Sequence, residues 1–267
     1  MSQVFIFSAC WRTGSTLIQR FLNTSDDLLI WGEPNYLLPF HNAFTKSVAH
    51  FKAVEWQHTS LEELGFQKAW IPVLNPKSQQ LLEGYRAFFN TTYGGQLAQY
   101  GKRRWGFKEV RQNAYQHAEM MKTLFPDCKI IFHYRNPYEV YESLLSTDFH
   151  QSFNDPYQPI RFWANNMKDF IDTAKIERLG AIVIAHEDFV DEVKSMSEME
   201  KVASFAGVKL TTTMVETLHH KVGGTSSQVG LEANVVNKID QVISGTLGQE
   251  LSEKVMSLFA KPKLAEG

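Results

Sequence analysis

The sequence predicts an α/β protein: a mostly parallel sheet flanked by helices on both faces. Three observations carry this. Short apolar runs recur, at Val4-Phe5-Ile6-Phe7, Leu28 to Trp31, Ile130 to Phe132 within the strand Lys129 to Tyr134, and Ala181 to Ala185. Stretches with apolar residues at helical spacing lie between them. The runs do not alternate with polar residues, so each strand must be covered on both faces.

Val4 to Phe7 form the first strand. After a loop, Leu17, Ile18, Phe21 and Leu22 recur at helical spacing, and Asn23-Thr24-Ser25 closes that helix. The second strand, Leu28 to Trp31, ends at Gly32-Glu33-Pro34. Residues 40–100 interleave aromatics such as Phe44, Trp56, Phe66, Trp70, Phe88 and Tyr93 with short polar stretches, as expected of helices packing onto a sheet or of a lid over a pocket. The strand Lys129 to Tyr134 passes through Arg135-Asn136-Pro137 into a helix bearing Val140, Leu144 and Leu145. Pro137 suits a first helical turn, where its missing N–H has no helical partner. A last strand, Ala181 to Ala185, precedes helical segments around Met199–Phe205 and Leu251–Phe259.

The 267 residues, 43% hydrophobic, suffice for a large core, and no repeat or linker divides them; residues 1–267 read as a single domain with 40–100 as a helical insertion. A net charge of −2 excludes the broad electrostatic capture of nucleic acid, so any anion site is local. Cys10 and Cys128 read as small buried hydrophobes, being too few for a disulfide framework. No apolar run approaches the ~20 residues of a membrane helix, and none resembles a secretory signal. The expectation is a cytoplasmic protein without an integral membrane segment. The nine histidines include no H-E-x-x-H and no compact cluster, so no metal is expected.

Trp11-Arg12-Thr13-Gly14-Ser15-Thr16 stands between strand and helix, where unpaired N–H groups and the helix dipole favour an anion. Gly14 permits the turn, Thr13, Ser15 and Thr16 add hydroxyls, and Arg12 adds a fork of donors. Laid over G-x-x-x-x-G-K-[ST], the loop has Ala9 for the first glycine and Ser15 for the lysine. The sheet is therefore P-loop-like, but the missing lysine argues against ATP or GTP chemistry. Arg135 leaves its strand at the carboxyl end, where α/β sheets bind ligands, and Ser143 lies about two turns along the next helix. The two can share one phosphate.

Arg-Thr-Gly-Ser-Thr after a first strand, with Arg135 and Ser143, resembles the sulfotransferases that use 3'-phosphoadenosine-5'-phosphosulfate (PAPS) and release 3',5'-ADP, particularly their tyrosylprotein and bacterial branch. The resemblance implies that the first loop holds the 5'-phosphosulfate and that Arg135 and Ser143 hold the 3'-phosphate. Trp31-Gly32-Glu33-Pro34 is similar to the segment whose glutamate takes the acceptor proton, which makes Glu33 the candidate base; the plain alternative is a carboxylate paired to a nearby arginine such as Arg12. Trp105-Gly106-Phe107-Lys108-Glu109-Val110-Arg111 resembles the segment whose lysine steadies the sulfuryl group, which makes Lys108 the second catalytic candidate. Cytosolic members carry a histidine where this chain has Val110, which moves the base to Glu33.

Arg111 is a further candidate anion contact, whereas Lys102-Arg103-Arg104 reads as a solvated basic turn. Gly223-Gly224-Thr225-Ser226 resembles a late cofactor loop, with Lys238 downstream. His186 stands where relatives carry a tyrosine near the adenine and reads as an adenine contact or a structural residue. The implied reaction is sulfuryl transfer to the hydroxyl of a sugar, phenol, lipid or tyrosine. Two alternatives stay open. One is a nucleotide-dependent kinase, with Asp188 imitating a magnesium ligand; the other is a non-catalytic nucleotide-binding domain.

Overall fold

Phe5 and Phe7 of strand β1 (Val4–Ser8) point into one core while Val4 and Ile6 point into another, and all four are fully buried. This two-residue alternation between two apolar faces explains the unbroken apolar run. Burying each such side chain contributes about 1.5–3 kcal/mol. The structure, a computed structural model, describes residues 2–217 and 230–262.

Helix α1 (Ser15–Asn23) leads from β1 to β2 (Leu28–Trp31). Helices α2 (Leu37–Val54), α3 (Trp56–Leu64) and α4 (Ser78–Phe89) follow, then β3 (Arg104–Glu109), α5 (Ala114–Leu124), β4 (Lys129–Tyr134) and α6 (Pro137–Leu145). Next come α7 (Gln158–Phe170), α8 (Thr173–Leu179), β5 (Ile182–Ala185), α9 (His186–Val190), α10 (Ser195–Ala206) and α11 (Thr212–Glu216). The helices α12 (Ala233–Leu247) and α13 (Gln249–Met256) end the described chain. The five strands form one parallel sheet in the order β2-β3-β1-β4-β5. Residues of α1, α10 and α11 fill the core on one face; those of α2, α5, α7 and α12 fill the larger core on the other. Among the described residues no helix is long and apolar enough to cross a membrane.

The connection after β1 leaves toward β2 on one side, and β4 lies against β5 on the other. The loops after β1 and β4 therefore flank a point where neighbouring strands diverge, the usual place for a ligand crevice in an open α/β sheet.

The segment at 40–100 holds most of α2, all of α3 and α4, and an irregular stretch over residues 65–77. Phe44, Phe89 and Tyr93 pack into the core, whereas Trp56, Phe66 and Trp70 stay exposed. Cys10 and Cys128 are both buried and free.

Lys102-Arg103-Arg104 corrects the expectation of a solvated turn. Arg104 is buried as the first residue of β3; it pairs with Asp27 and donates to the Ala206 and Gly207 carbonyls at 2.9 and 3.1 Å. A guanidinium at the C-terminus of α10 meets carbonyls that the helix leaves unpaired, which offsets the cost of its burial. Lys102 likewise donates to the Asn23 and Ser25 carbonyls at the end of α1. Arg103 is the exposed member, 2.9 Å from Asp27. Strand β3 itself has no apolar run to announce it. Gly106 is required there because a Cβ would fall 1.6 Å from the Val4 carbonyl oxygen of the neighbouring strand.

Candidate active site

The carboxyl ends of the five parallel strands carry Ser8, Trp31, Glu109, Tyr134 and Ala185, so the segments that follow them share one edge of the sheet. The loop after β1 turns sharply. Arg12 and Gly14 both lie in left-handed backbone, at φ 63° and 90°, on either side of Thr13. Such alternation gathers backbone N–H groups into an anion-binding nest. The Ser15 and Thr16 amides in the first turn of α1 also have no carbonyl behind them to accept.

Gly14 is demanded twice. Its conformation excludes a Cβ at low cost, and the His186 ring occupies the place a Cβ would take, 2.3 Å away. His186, the first residue of α9, thus supports the loop from beneath. Burial, and then the nearby Arg135 charge, lowers its pKa to about 4, which keeps the ring neutral. Thr13 is also structural: it is fully buried and its hydroxyl donates to the Cys10 carbonyl at 3.2 Å, so this proton is already committed within the loop. Thr16 is exposed at the helix start, and Ser15 is buried beneath it.

Arg12 Nε donates to Ser143 Oγ at 3.0 Å, joining the loop after β1 to helix α6 across 131 residues of sequence. Arg135 stands close enough that its charge, after burial, lowers the Arg12 pKa. Its own guanidinium is paired with Glu139 at 2.8 Å, one turn along α6. Asn136 caps that helix by accepting from Tyr138 N–H, with Pro137 in the first turn as expected. Arg12 and Ser143 thus meet directly, while Arg135 is near enough to Arg12 for its charge to be felt and is itself held by Glu139.

Lys108 Nζ donates to Glu33 Oε1 at 2.6 Å. Lys108 is buried on β3, and Glu33 follows β2, the neighbouring strand. Glu33 is thus ion-paired, with Lys108 and, at 3.5 Å, with Arg111; Arg12 points to Ser143 instead.

Arg111, offered above as an anion contact, is engaged by carboxylates and an amide: Glu109 at 2.8 Å, the far oxygen of Glu33, and Asn35. Its guanidinium also lies 5.8 Å from the centre of the Trp11 ring. Glu109, buried, accepts in addition from the Val110 and Arg111 backbone N–H groups at 2.8 and 3.0 Å. Burial raises its pKa, and Arg111 and those N–H groups oppose the rise. Sequence reading missed this brace of Glu109, Arg111 and Asn35 behind Glu33. The signal available was the two-residue spacing of Glu109 and Arg111 at a strand end.

Ser226 lies outside the described residues. Lys238 is exposed on α12 and forms no ion pair or hydrogen bond among the described residues. Asp188 is paired with Lys194 at 2.7 Å on the surface.

No curated protein matches the chain in sequence. The fold is shared with the sulfotransferase domain from the curacin biosynthetic pathway, at a TM-score of 0.51 and 17% identity over 96% of each chain. It is also shared with the sulfotransferase domain from the Synechococcus PCC 7002 olefin synthase, at a TM-score of 0.50 and 19% identity over 98% of this chain and 95% of that one. The sulfotransferase family model matches residues 3–212, which span the loop after β1, Glu33, Lys108 and the Arg135–Ser143 pair, and the chain therefore belongs to the sulfotransferase family.

Proposed function

We propose that this sulfotransferase takes its sulfuryl group from PAPS and delivers it to an acceptor hydroxyl. The observation that carries the reading is the meeting, at one sheet edge, of the Arg12–Ser143–Arg135 cluster with the Lys108–Glu33 pair. Burial and then the charge of Arg135 lower the Arg12 pKa, a cost that bound phosphate groups would relieve, so the residues present fit the anionic ends of the cofactor.

In this reading Arg135 and Ser143 hold the 3'-phosphate. Arg12 and the N–H groups at the start of α1 hold the 5'-phosphosulfate end. When bound, the cofactor supplies the sulfuryl group and carries away the negative charge. Glu33 accepts the proton of the acceptor hydroxyl, and Lys108 places positive charge beside the oxygen that leaves. Glu109, Arg111 and Asn35 position the Glu33 carboxylate. The whole chain acts as one catalytic unit, with the helices after Glu33 facing the acceptor.

The test is a calorimetric titration with 3',5'-ADP and separately with ATP, each with and without Mg²⁺. The expected result is metal-independent binding of 3',5'-ADP. Arg135→Ala weakens it about tenfold to a hundredfold, as loss of a hydrogen bond to a charged group does. Binding of Mg-ATP alone overturns the reading in favour of a kinase, and binding of neither leaves a non-catalytic domain.

A further inference from the structure

An apolar groove of about 550 Å³ lies between α2 and α4, a size typical of small-molecule sites. Phe40, Phe51, Leu81, Gly84, Tyr85 and Phe88 line it. The helices run antiparallel along it: Phe40 stacks on Phe88 at 5.2 Å, and Ser47 meets the Tyr85 hydroxyl at 2.8 Å. That hydroxyl is therefore already satisfied, and Gln80, at the far end, is the other polar side chain of the lining. From Phe40 to Phe51 helix α2 advances about 16 Å. Phe88 is 43% exposed along this path and adds its ring to the lining.

The near end of the groove is joined to the candidate base. Tyr36 lies three residues beyond Glu33, and its ring meets Phe40 at 6.1 Å and Phe88 at 6.2 Å. Its hydroxyl is tied to that of Tyr93 at 2.7 Å, which holds the ring in place. The turn after Glu33 is therefore packed, through Tyr36, against two rings of the groove's lining. Midway along α4, a Cβ added to Gly84 would meet nothing within 4 Å, so the channel is open there.

We propose that this groove binds the apolar body of the acceptor, an amphiphile whose hydroxyl stands at Glu33 and whose hydrocarbon portion lies between α2 and α4. The hydroxyl end of this statement rests on the function proposed above; the apolar end rests on the groove alone. A sugar or a charged chain would lose its hydration there without finding partners. A slot of about 550 Å³ lies within the range of small-molecule sites, which favours a small molecule over a docked protein.

The experiment measures binding of unbranched 1-alkanols, from hexanol to dodecanol, to the full chain with and without 3',5'-ADP. It compares the wild type with Gly84→Leu, which fills the groove and improves helix propensity. In the wild type, affinity rises about fourfold per added methylene, the equivalent of about 0.8 kcal/mol each. In Gly84→Leu the rise is lost, while 3',5'-ADP binds both proteins equally. An affinity independent of chain length, or an equal rise in Gly84→Leu, overturns the proposal. A dimer that Gly84→Leu dissolves overturns it as well, in favour of a second copy in the groove. Loss of 3',5'-ADP binding with the chain-length dependence intact would defeat the PAPS reading and leave the groove standing.

Discussion

Lys108 Nζ stands 2.6 Å from Glu33 Oε1, a contact between residues 75 apart in sequence, on β3 and just beyond the neighbouring β2. Both groups belong to the proposed chemistry, yet each neutralises the other. On that reading an incoming sulfate-bearing anion draws Lys108 toward itself and leaves the carboxylate to the acceptor hydroxyl. Arg111 joins the same turn, reaching the far oxygen of Glu33 and the side chain of Asn35.

Glu33→Gln is expected to lower turnover by a factor of about 10²–10⁴, the usual contribution of a positioned base, while 3',5'-ADP affinity is unchanged. Lys108→Met is expected to lower turnover by about 10²–10³. Product formation from PAPS with a chosen acceptor, alongside calorimetry, checks both. Undiminished turnover in Glu33→Gln places the base elsewhere.

Gly14→Ala meets two obstacles, the left-handed backbone and the His186 ring. The first costs roughly 1–2 kcal/mol and the second about 1–3 kcal/mol of overpacking. Trimming the ring in Gly14→Ala/His186→Ala relieves only the second, so urea denaturation of the four proteins in this cycle should show a coupling of about 1 kcal/mol or more. A coupling of zero means that the ring contact does not constrain position 14.

Acid should destabilise the fold through its buried histidines. His117 is 1% exposed, and burial, followed by the His41 charge, lowers its pKa to about 3 from the ordinary 6.5. Between those values the unfolded chain takes up a proton that the folded chain refuses, so stability falls as pH drops through the window and levels off below it. Each such histidine contributes about 1.4 kcal/mol per pH unit. Urea midpoints from pH 7.5 to 4.5 should therefore decline more steeply in the wild type than in His117→Leu. Glu109 and Glu187, which burial shifts upward, act alike in both proteins and drop out of the difference. Parallel slopes would show that His117 is protonated in the folded state.

Four strands were legible because their side chains are apolar on both faces. Strand β3 was not, since Arg104, Gly106, Lys108 and Glu109 interrupt any apolar run. Each of these has a reason that lies elsewhere in the chain: the carbonyls ending α10 for Arg104, the close approach of β1 for Gly106, Glu33 for Lys108, and Arg111 for Glu109. The turn after β1 and the Asn136-Pro137 start of α6 were legible because each is set by residues next to one another in sequence. The support of Gly14 by His186 was not, because the two are 172 residues apart and meet only through packing of β5 beside β4.

The sequence by itself determined which residue types stand at each strand's carboxyl end, and with them the class of anion chemistry. Local periodicity reports burial, and local spacing reports which side chains share a turn. Tertiary structure alone decided the partners: Arg12 with Ser143, Glu33 with Lys108, and Tyr36 against the groove between α2 and α4. The physical reason is that charge pairing and ring packing act over a few ångströms in space. Which residues come that close follows from strand order and register, which depend on the crossovers of the whole chain.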